Sequence, residues 1–201
     1  MNLSDLKLVY VFSCVVLGLV ILLPGMFEVM PLLNEGEPFS ELYVLGSNRM
    51  LENIPSNVMA NSLYTVYLGV GNHMNELESY LVYVKLRNQT EPLPDTIAGL
   101  PSPLAPAFEY RMILDDGDVW EKEFSFSFEG VSFDGSNSSQ VTGLSINGLF
   151  VNVDKVAVWN EEKNGFFYQL FFELWIYNAT TSVFEFHNRS VGFLLNMTRP
   201  L

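Results

Sequence analysis

The residues best suited to chemistry are few and scattered. Asp115-Asp116-Gly117-Asp118 places three carboxylates within four positions, the oxygen-ligand type that calcium takes. The run lacks the ligand count and the later glutamate of an EF-hand loop. It also separates two β-prone stretches, so it reads as a tight turn. The two histidines, His73 and His187, have no cysteine, histidine or aspartate at zinc-site spacing. Glu121 and Glu123 fall on one face of an alternating strand, towards solvent, whereas a glycosidase needs two acids facing each other across a cleft. No Gly-x-Ser-x-Gly elbow, phosphate-binding loop or dinucleotide fingerprint occurs. These residue types point away from catalysis, and neither a metal nor a cofactor is expected.

One chemistry-bearing pattern does recur. Asn-x-Ser/Thr, the acceptor for N-linked glycans, occurs at Asn88, Asn137, Asn178, Asn188 and Asn196, none with proline at x. The first four lie at expected turns or strand ends, where a glycan clears the core, while Asn196 falls inside an expected strand. A sixth match, Asn2, lies on the other side of the anchor described next and is expected to stay unmodified. Glycans on the outer domain would account for a charged fraction of only 16% beside 49% hydrophobic residues.

Residues 8–27 read LVYVFSCVVLGLVILLPGMF, without a charge. At 1.5 Å rise per residue such a helix spans about 30 Å of hydrocarbon. Leu8, Leu17, Leu22 and Phe27 mark its length, Gly18 is tolerated in lipid, and Pro24 kinks the helix or marks its exit. No small-x-small cleavage site follows, so the segment reads as a retained signal anchor. Lys7 precedes it, and Glu28, Glu35, Glu37 and Glu41 follow before Arg49, which places the N-terminus inside. The single cysteine, Cys14, lies within this run, too early for a lipidated cysteine, and rules out an intramolecular disulfide. The chain thus divides into residues 1–33, a cytoplasmic stub and transmembrane helix, and residues 34–201, an extracytoplasmic domain stabilised by packing alone.

That domain reads as all-β. Strand character appears at residues 39–45, 63–70, 80–86, 111–114, 120–129, 144–153, 156–159, 166–177 and 191–197. Residues 71–75 (GNHMN) read as a turn. The run 166–177 (FFYQLFFELWIY) is too short for a second membrane span and contains Gln169 and Glu173, so it reads as a central strand covered on both faces. Pro92, Pro94, Pro101, Pro103 and Pro106 forbid ladder and helix alike, making residues 91–106 a surface loop whose length suggests a contact site or a strap along the sheet. Eight or nine strands without a helical period predict an immunoglobulin-like β-sandwich preceded by one N-terminal transmembrane helix. A net charge of −13 argues against nucleic acid as a ligand.

Several segments resemble an archaeal membrane-anchored family of unknown function, domain of unknown function sixteen-sixteen. They are residues 39–46 (FSELYVLG), 52–58 (ENIPSNV), 65–86 (TVYLGVGNHMNELESYLVYVKL), 120–128 and 172–198, with Gly-Val-x-Asn-His at 69–73 the most recognisable piece. The resemblance implies an extracytoplasmic immunoglobulin-like domain on a membrane stem, in an archaeal host, and brings no established activity. The family often carries several membrane helices before this domain, where this chain offers one.

The leading functional expectation is a non-catalytic accessory subunit of an extracytoplasmic membrane complex, acting by protein–protein contact. Location alone names an oligosaccharyltransferase, a protein-export channel or the surface layer as such complexes. The expected partners are the membrane, other membrane-protein subunits and N-linked glycans. One alternative is a module that binds surface glycan or a soluble ligand through aromatics such as Trp159 or Trp175, residues that core packing also explains. The other is a hydrolase of surface polymer, which needs a cleft holding two carboxylates or a metal.

Overall fold

The structure, a computed structural model, describes residues 7, 10–18, 37–135 and 137–199. It divides into two compact units, Met1–Pro38 and Phe39–Leu201. In the first, residues 10–18 are helical, with Tyr10, Phe12 and Leu17 exposed. Of the expected anchor positions only Leu17 lies in this helix; Leu8, Leu22 and Phe27 lie outside the described residues. Among the described residues no helix is long and apolar enough to cross a membrane.

The second unit is all-β. Its strands are β1 (Phe39–Leu45), β2 (Asn57–Met59), β3 (Tyr64–His73), β4 (Glu78–Asn88), β5 (Phe108–Leu114), β6 (Val119–Asp134), β7 (Ser138–Ile146), β8 (Leu149–Val158), β9 (Phe166–Asn178) and β10 (Val183–Thr198). They form two five-stranded sheets, ordered β1-β3-β6-β7-β8 and β2-β10-β9-β4-β5. Neighbours pair antiparallel except β2, which runs parallel to β10 through Asn57↔Asn196 to Met59↔Thr198.

Period-two alternation builds the shared core. Phe124, Phe126 and Phe128 point inward from β6, and Tyr168, Leu170, Phe172 and Leu174 point inward from β9; all belong to one buried cluster. Phe124 meets Phe172 edge-on across the two sheets, ring centroids 5.2 Å apart. Each such buried ring stabilises the fold by roughly 1.5–3 kcal/mol. As the apolar run of 166–177 suggests, β9 is the middle strand of its sheet, and its outward Phe171 and Glu173 are also buried.

The strands differ from the sequence reading at several points: β2 and residues 138–143 of β7 are not expected, β5 begins earlier at Phe108, and β6 runs on to Asp134. Residues 71–73 continue β3 instead of turning, because the buried Asn72 replaces solvent with its own bonds. Its Nδ2 donates to Glu76 O and Leu114 O, its backbone N–H donates to Asp118 O, and its carbonyl accepts from Gly117 N. The expected strand 144–153 is two strands, split at Asn147-Gly148, whose φ values of 50° and 78° make a two-residue primed turn. The expected breaks around 153–156 close up into one β8. Finally, β10 begins at Val183, and a bulge between Phe186 and Arg189 joins its two halves.

The edge strand β8 is exposed on one face and half-buried on the other, where Val153 and Ala157 meet the core. Trp159 N donates to Asn137 O, which fixes the phase of the β7–β8 ladder and turns the carbonyls of Val156 and Val158 to the free side. There they accept hydrogen bonds from Asn88 Nδ2 (2.9 Å) and Gln89 Nε2 (2.7 Å) at the end of β4.

Candidate functional site

The proline-rich segment 91–106 crosses the outer face of the second sheet, and a buried ion pair holds it there. Lys85 on β4 and Glu173 on β9 point outward by alternation, yet their side chains are 4% and 0% exposed. Lys85 Nζ lies 2.7 Å from Glu173 Oε2. The same two groups grip one residue of the strap from both sides: Ser102 N donates to Glu173 Oε1 (2.8 Å), and Lys85 Nζ donates to Ser102 O (2.7 Å). The Ser102 hydroxyl donates to Pro92 O, and Ala107 N donates to Val84 O where the strap leads into β5. At its start, Arg87 donates to the carbonyls of Gln89 and Glu91, and the Glu91 carboxylate pairs with Lys155 on β8. Proline removes the donors that a ladder would need, so side chains take over the task of fixing this backbone.

The strap's tip is itself ordered. Asp95 and Leu100 exchange backbone hydrogen bonds, N to O at 2.8 and 2.9 Å, and Asp95 Oδ1 accepts from Ile97 N and Ala98 N. Gly99 takes φ of 71°, which glycine adopts without strain. This braced turn holds Ile97 99% exposed, flanked by the exposed Leu93 and Leu100. The result is a fixed, solvent-facing isoleucine between two exposed leucines.

A second polar cluster ties the two sheets together at the end where β1 begins. Asn72 Nδ2 already donates twice, so its Oδ1 is an acceptor, and Tyr80 Oη donates to it (3.0 Å). The Tyr80 proton being committed, Ser40 Oγ donates to Tyr80 Oη (2.7 Å). Ser40 Oγ must then accept from His187 Nε2–H, 3.0 Å away. Arg189 Nε donates to Ser40 O. Burial, reinforced by the Arg189 charge, holds the His187 pKa below its ordinary value, and burial raises that of Tyr80. Ser40 is 2% exposed, so this Ser–His contact serves as a staple between sheets and not as a nucleophile open to substrate.

The other residues that the sequence singles out are dispersed. Asn88 and Asn178 end β4 and β9, Asn137 lies in the β6–β7 turn, Asn188 in the β10 bulge and Asn196 within β10. Asn137 and Asn188 are exposed, and among the described residues nothing accepts from their side-chain amides. Asn196 Nδ2 donates to Asn57 Oδ1, and its Oδ1 accepts from Phe166 N. Asp115–Asp118 forms the turn between β5 and β6, with Asp118 N on Asp115 O and Gly117 N on Asn72 O. Among the described residues no three His, Cys, Asp or Glu side chains gather as a metal site would require. Glu121 and Glu123 are exposed on β6, where Glu121 pairs with Arg49. His73 stacks on Phe39 with centroids 4.6 Å apart. Trp175 packs edge-on against Tyr83, while Trp159 is 37% exposed beside a cavity of about 360 Å³ shared with Phe166, Asn196 and Arg199.

Sequence reading anticipated the strap but missed the pair that holds it. The signal was present: Lys85 and Glu173 are the charged residues inside two otherwise apolar strand runs, and opposite charges placed so are best explained by each other.

No curated protein matches the chain by sequence. Among solved structures, a β-glucosidase from Listeria innocua in complex with gluconolactone is 10% identical, with a TM-score of 0.37 over 80% of this chain and 16% of the glucosidase chain. The complex of zinc 2-glycoprotein and prolactin inducible protein from human seminal plasma gives 11% identity and a TM-score of 0.37, over 82% of this chain and 98% of the other. The sporulation control protein Spo0M from Bacillus subtilis gives 10% and 0.28, over 80% and 91%. Likenesses of this size bear on neither activity nor partner. The family comparison is firmer, matching residues 33–134, the stretch that runs from before β1 through the strap to the end of β6: the chain belongs to the family described as Domain of unknown function (DUF1616).

Proposed function

We propose that this chain is a non-catalytic subunit of an extracytoplasmic membrane assembly and that it docks a partner protein through the tip of its strap. Ile97 carries the reading. An isoleucine held 99% exposed by the Asp95 turn, on a strap pinned by a buried ion pair, exposes apolar area on a preorganised element. Pre-ordering of this kind lowers the entropy cost of association, and apolar anchors seated in pockets dominate binding energy. The wider reading is a single-pass anchor over residues 8–27, a cytoplasmic N-terminus, an immunoglobulin-like domain and an archaeal surface. Its support is the charge-free run, the acidic residues after it, the sequons and the resemblance over residues 39–198. An oligosaccharyltransferase, a protein-export channel and the surface layer are the assemblies that fit such a location.

The test is affinity purification of the full chain from native membranes in mild detergent, comparing wild type with Ile97→Asp. Wild type should bring down one or more partners in stoichiometric amount. Ile97→Asp should lose them while melting at the same temperature. A wild-type chain recovered alone would sink the proposal.

A further inference from the structure

The chain carries 10 Lys and Arg against 23 Asp and Glu. Arg49, Lys85, Arg111 and Lys155 each have a carboxylate within 4 Å. Among the described residues Arg87, Lys122, Lys163, Arg189 and Arg199 have none, and of these Arg87 and Lys163 share one cavity of about 200 Å³ with Gln89, Asn160, Phe167 and Leu194. It opens beside the start of the strap, on the outer face of β4, β9 and β10.

The lining groups have unused capacity. The two terminal nitrogens of Arg87 hold strap carbonyls, but its Nε is buried without an acceptor. Arg87 therefore lends the cavity its charge and no free donor. The Lys163 ammonium stands 5.8 Å from the Phe167 ring centroid. Asn160 Oδ1 accepts from Lys163 N, leaving Nδ2 for a ligand. Gln89 donates through Nε2 to Val158 O, leaving Oε1 as an acceptor. Leu194, 40% exposed, adds an apolar wall.

We propose that this cavity binds a monoanionic sugar acid, a single uronate residue. Lys163 takes its carboxylate with the Arg87 charge behind it, the Asn160 and Gln89 amides take ring hydroxyls as donor and acceptor, and Leu194 covers ring C–H surface. Charge decides against larger anions. A field set by −13 net charge repels polyanions over distance, while one negative charge is met locally by the Lys163 ammonium. The mixture of amides with an apolar wall decides against a bare inorganic anion, which would use neither. The site stands apart from the strap tip and does not depend on the docking reading.

Isothermal titration of the full-length protein in detergent tests this with sodium glucuronate, glucose and sodium acetate. Glucuronate should bind at least about tenfold more tightly than either of the others, a difference of about 1.4 kcal/mol. Lys163→Gln should weaken glucuronate about tenfold and leave the melting temperature unchanged, and Lys163→Arg should retain binding. Arg87 is left intact because it also holds the strap. Acetate or glucose binding as well as glucuronate would overturn the proposal, as would full glucuronate affinity in Lys163→Gln.

Discussion

Lys85 and Glu173, 88 positions apart, meet at 2.7 Å with almost no solvent contact and hold Ser102 between them by its N–H and its carbonyl. The pair exists for the strap: without Ser102 above it, both charges would lie on a solvated sheet face. Glu173→Gln should therefore cost about 3–5 kcal/mol, because it strands a buried ammonium, and should make the strap accessible to protease. The apolar double substitution Lys85→Met with Glu173→Leu should recover most of that stability. It should not recover protection of the strap, since Ser102 loses two of its partners. Chemical denaturation and limited proteolysis of the two variants separate these effects.

His187 makes the fold sensitive to mild acid. Its folded pKa lies below the ordinary value, through burial first and the Arg189 charge second. The unfolded chain therefore binds the proton more readily, and protonation favours unfolding. This contribution to stability is fully present above the unfolded value of about 6.5 and is lost as pH falls through it towards the lower folded value. Melting temperature measured between pH 7.5 and 5 should fall, and His187→Gln, which keeps a donor for Ser40, should flatten the fall. An unchanged slope in that variant would show that other groups govern it.

Removing the hydroxyl at the centre of the same staple should be felt directly. Ser40→Ala leaves Tyr80 and His187 each short of a partner inside the domain, at a cost of about 1–3 kcal/mol in denaturant titration.

Gly148 sits at φ of 78° in the β7–β8 turn. Gly148→Val should destabilise by about 1–2 kcal/mol, the cost of a side chain in the left-handed region. Gly148→Asn should cost much less, because asparagine tolerates that conformation. Equilibrium unfolding of the two variants gives the comparison.

The sequons should not be filled alike. Asn137 and Asn188 present free amides on exposed turns and should carry glycan, whereas Asn196 is bonded through both side-chain atoms between β9 and β2 and should be bare. Peptide mapping by mass spectrometry before and after deglycosylation reads this directly. A filled Asn196 beside a bare Asn188 would contradict it.

Much of the fold is legible in the residues. Alternation in 120–128 and the apolar run of 166–177 identify β6 and β9, and the five prolines identify the strap. The Asn147-Gly148 pair was readable as a hairpin by its dipeptide, yet the apolar residues on both sides join into one apparent strand. Asn72 misleads for a different reason. Its polarity signals a turn, while its side chain reaches carbonyls of two other segments that adjacent sequence does not reveal. The clamp was half visible, as two isolated charges in apolar strands; what no local pattern conveys is that a third segment closes over both. Nor does sequence announce Ile97 as exposed, since isoleucine beside prolines reads equally well as a residue tucked under a loop.

Asn88 and Gln89 occupy the outward carbonyls of Val156 and Val158. That occupation limits pairing between copies of the chain through this edge. An unguarded apolar strand of this length would let neighbours zip together sideways into ribbons. With two of its acceptors already taken by amides from the other sheet, such growth stalls after a few residues.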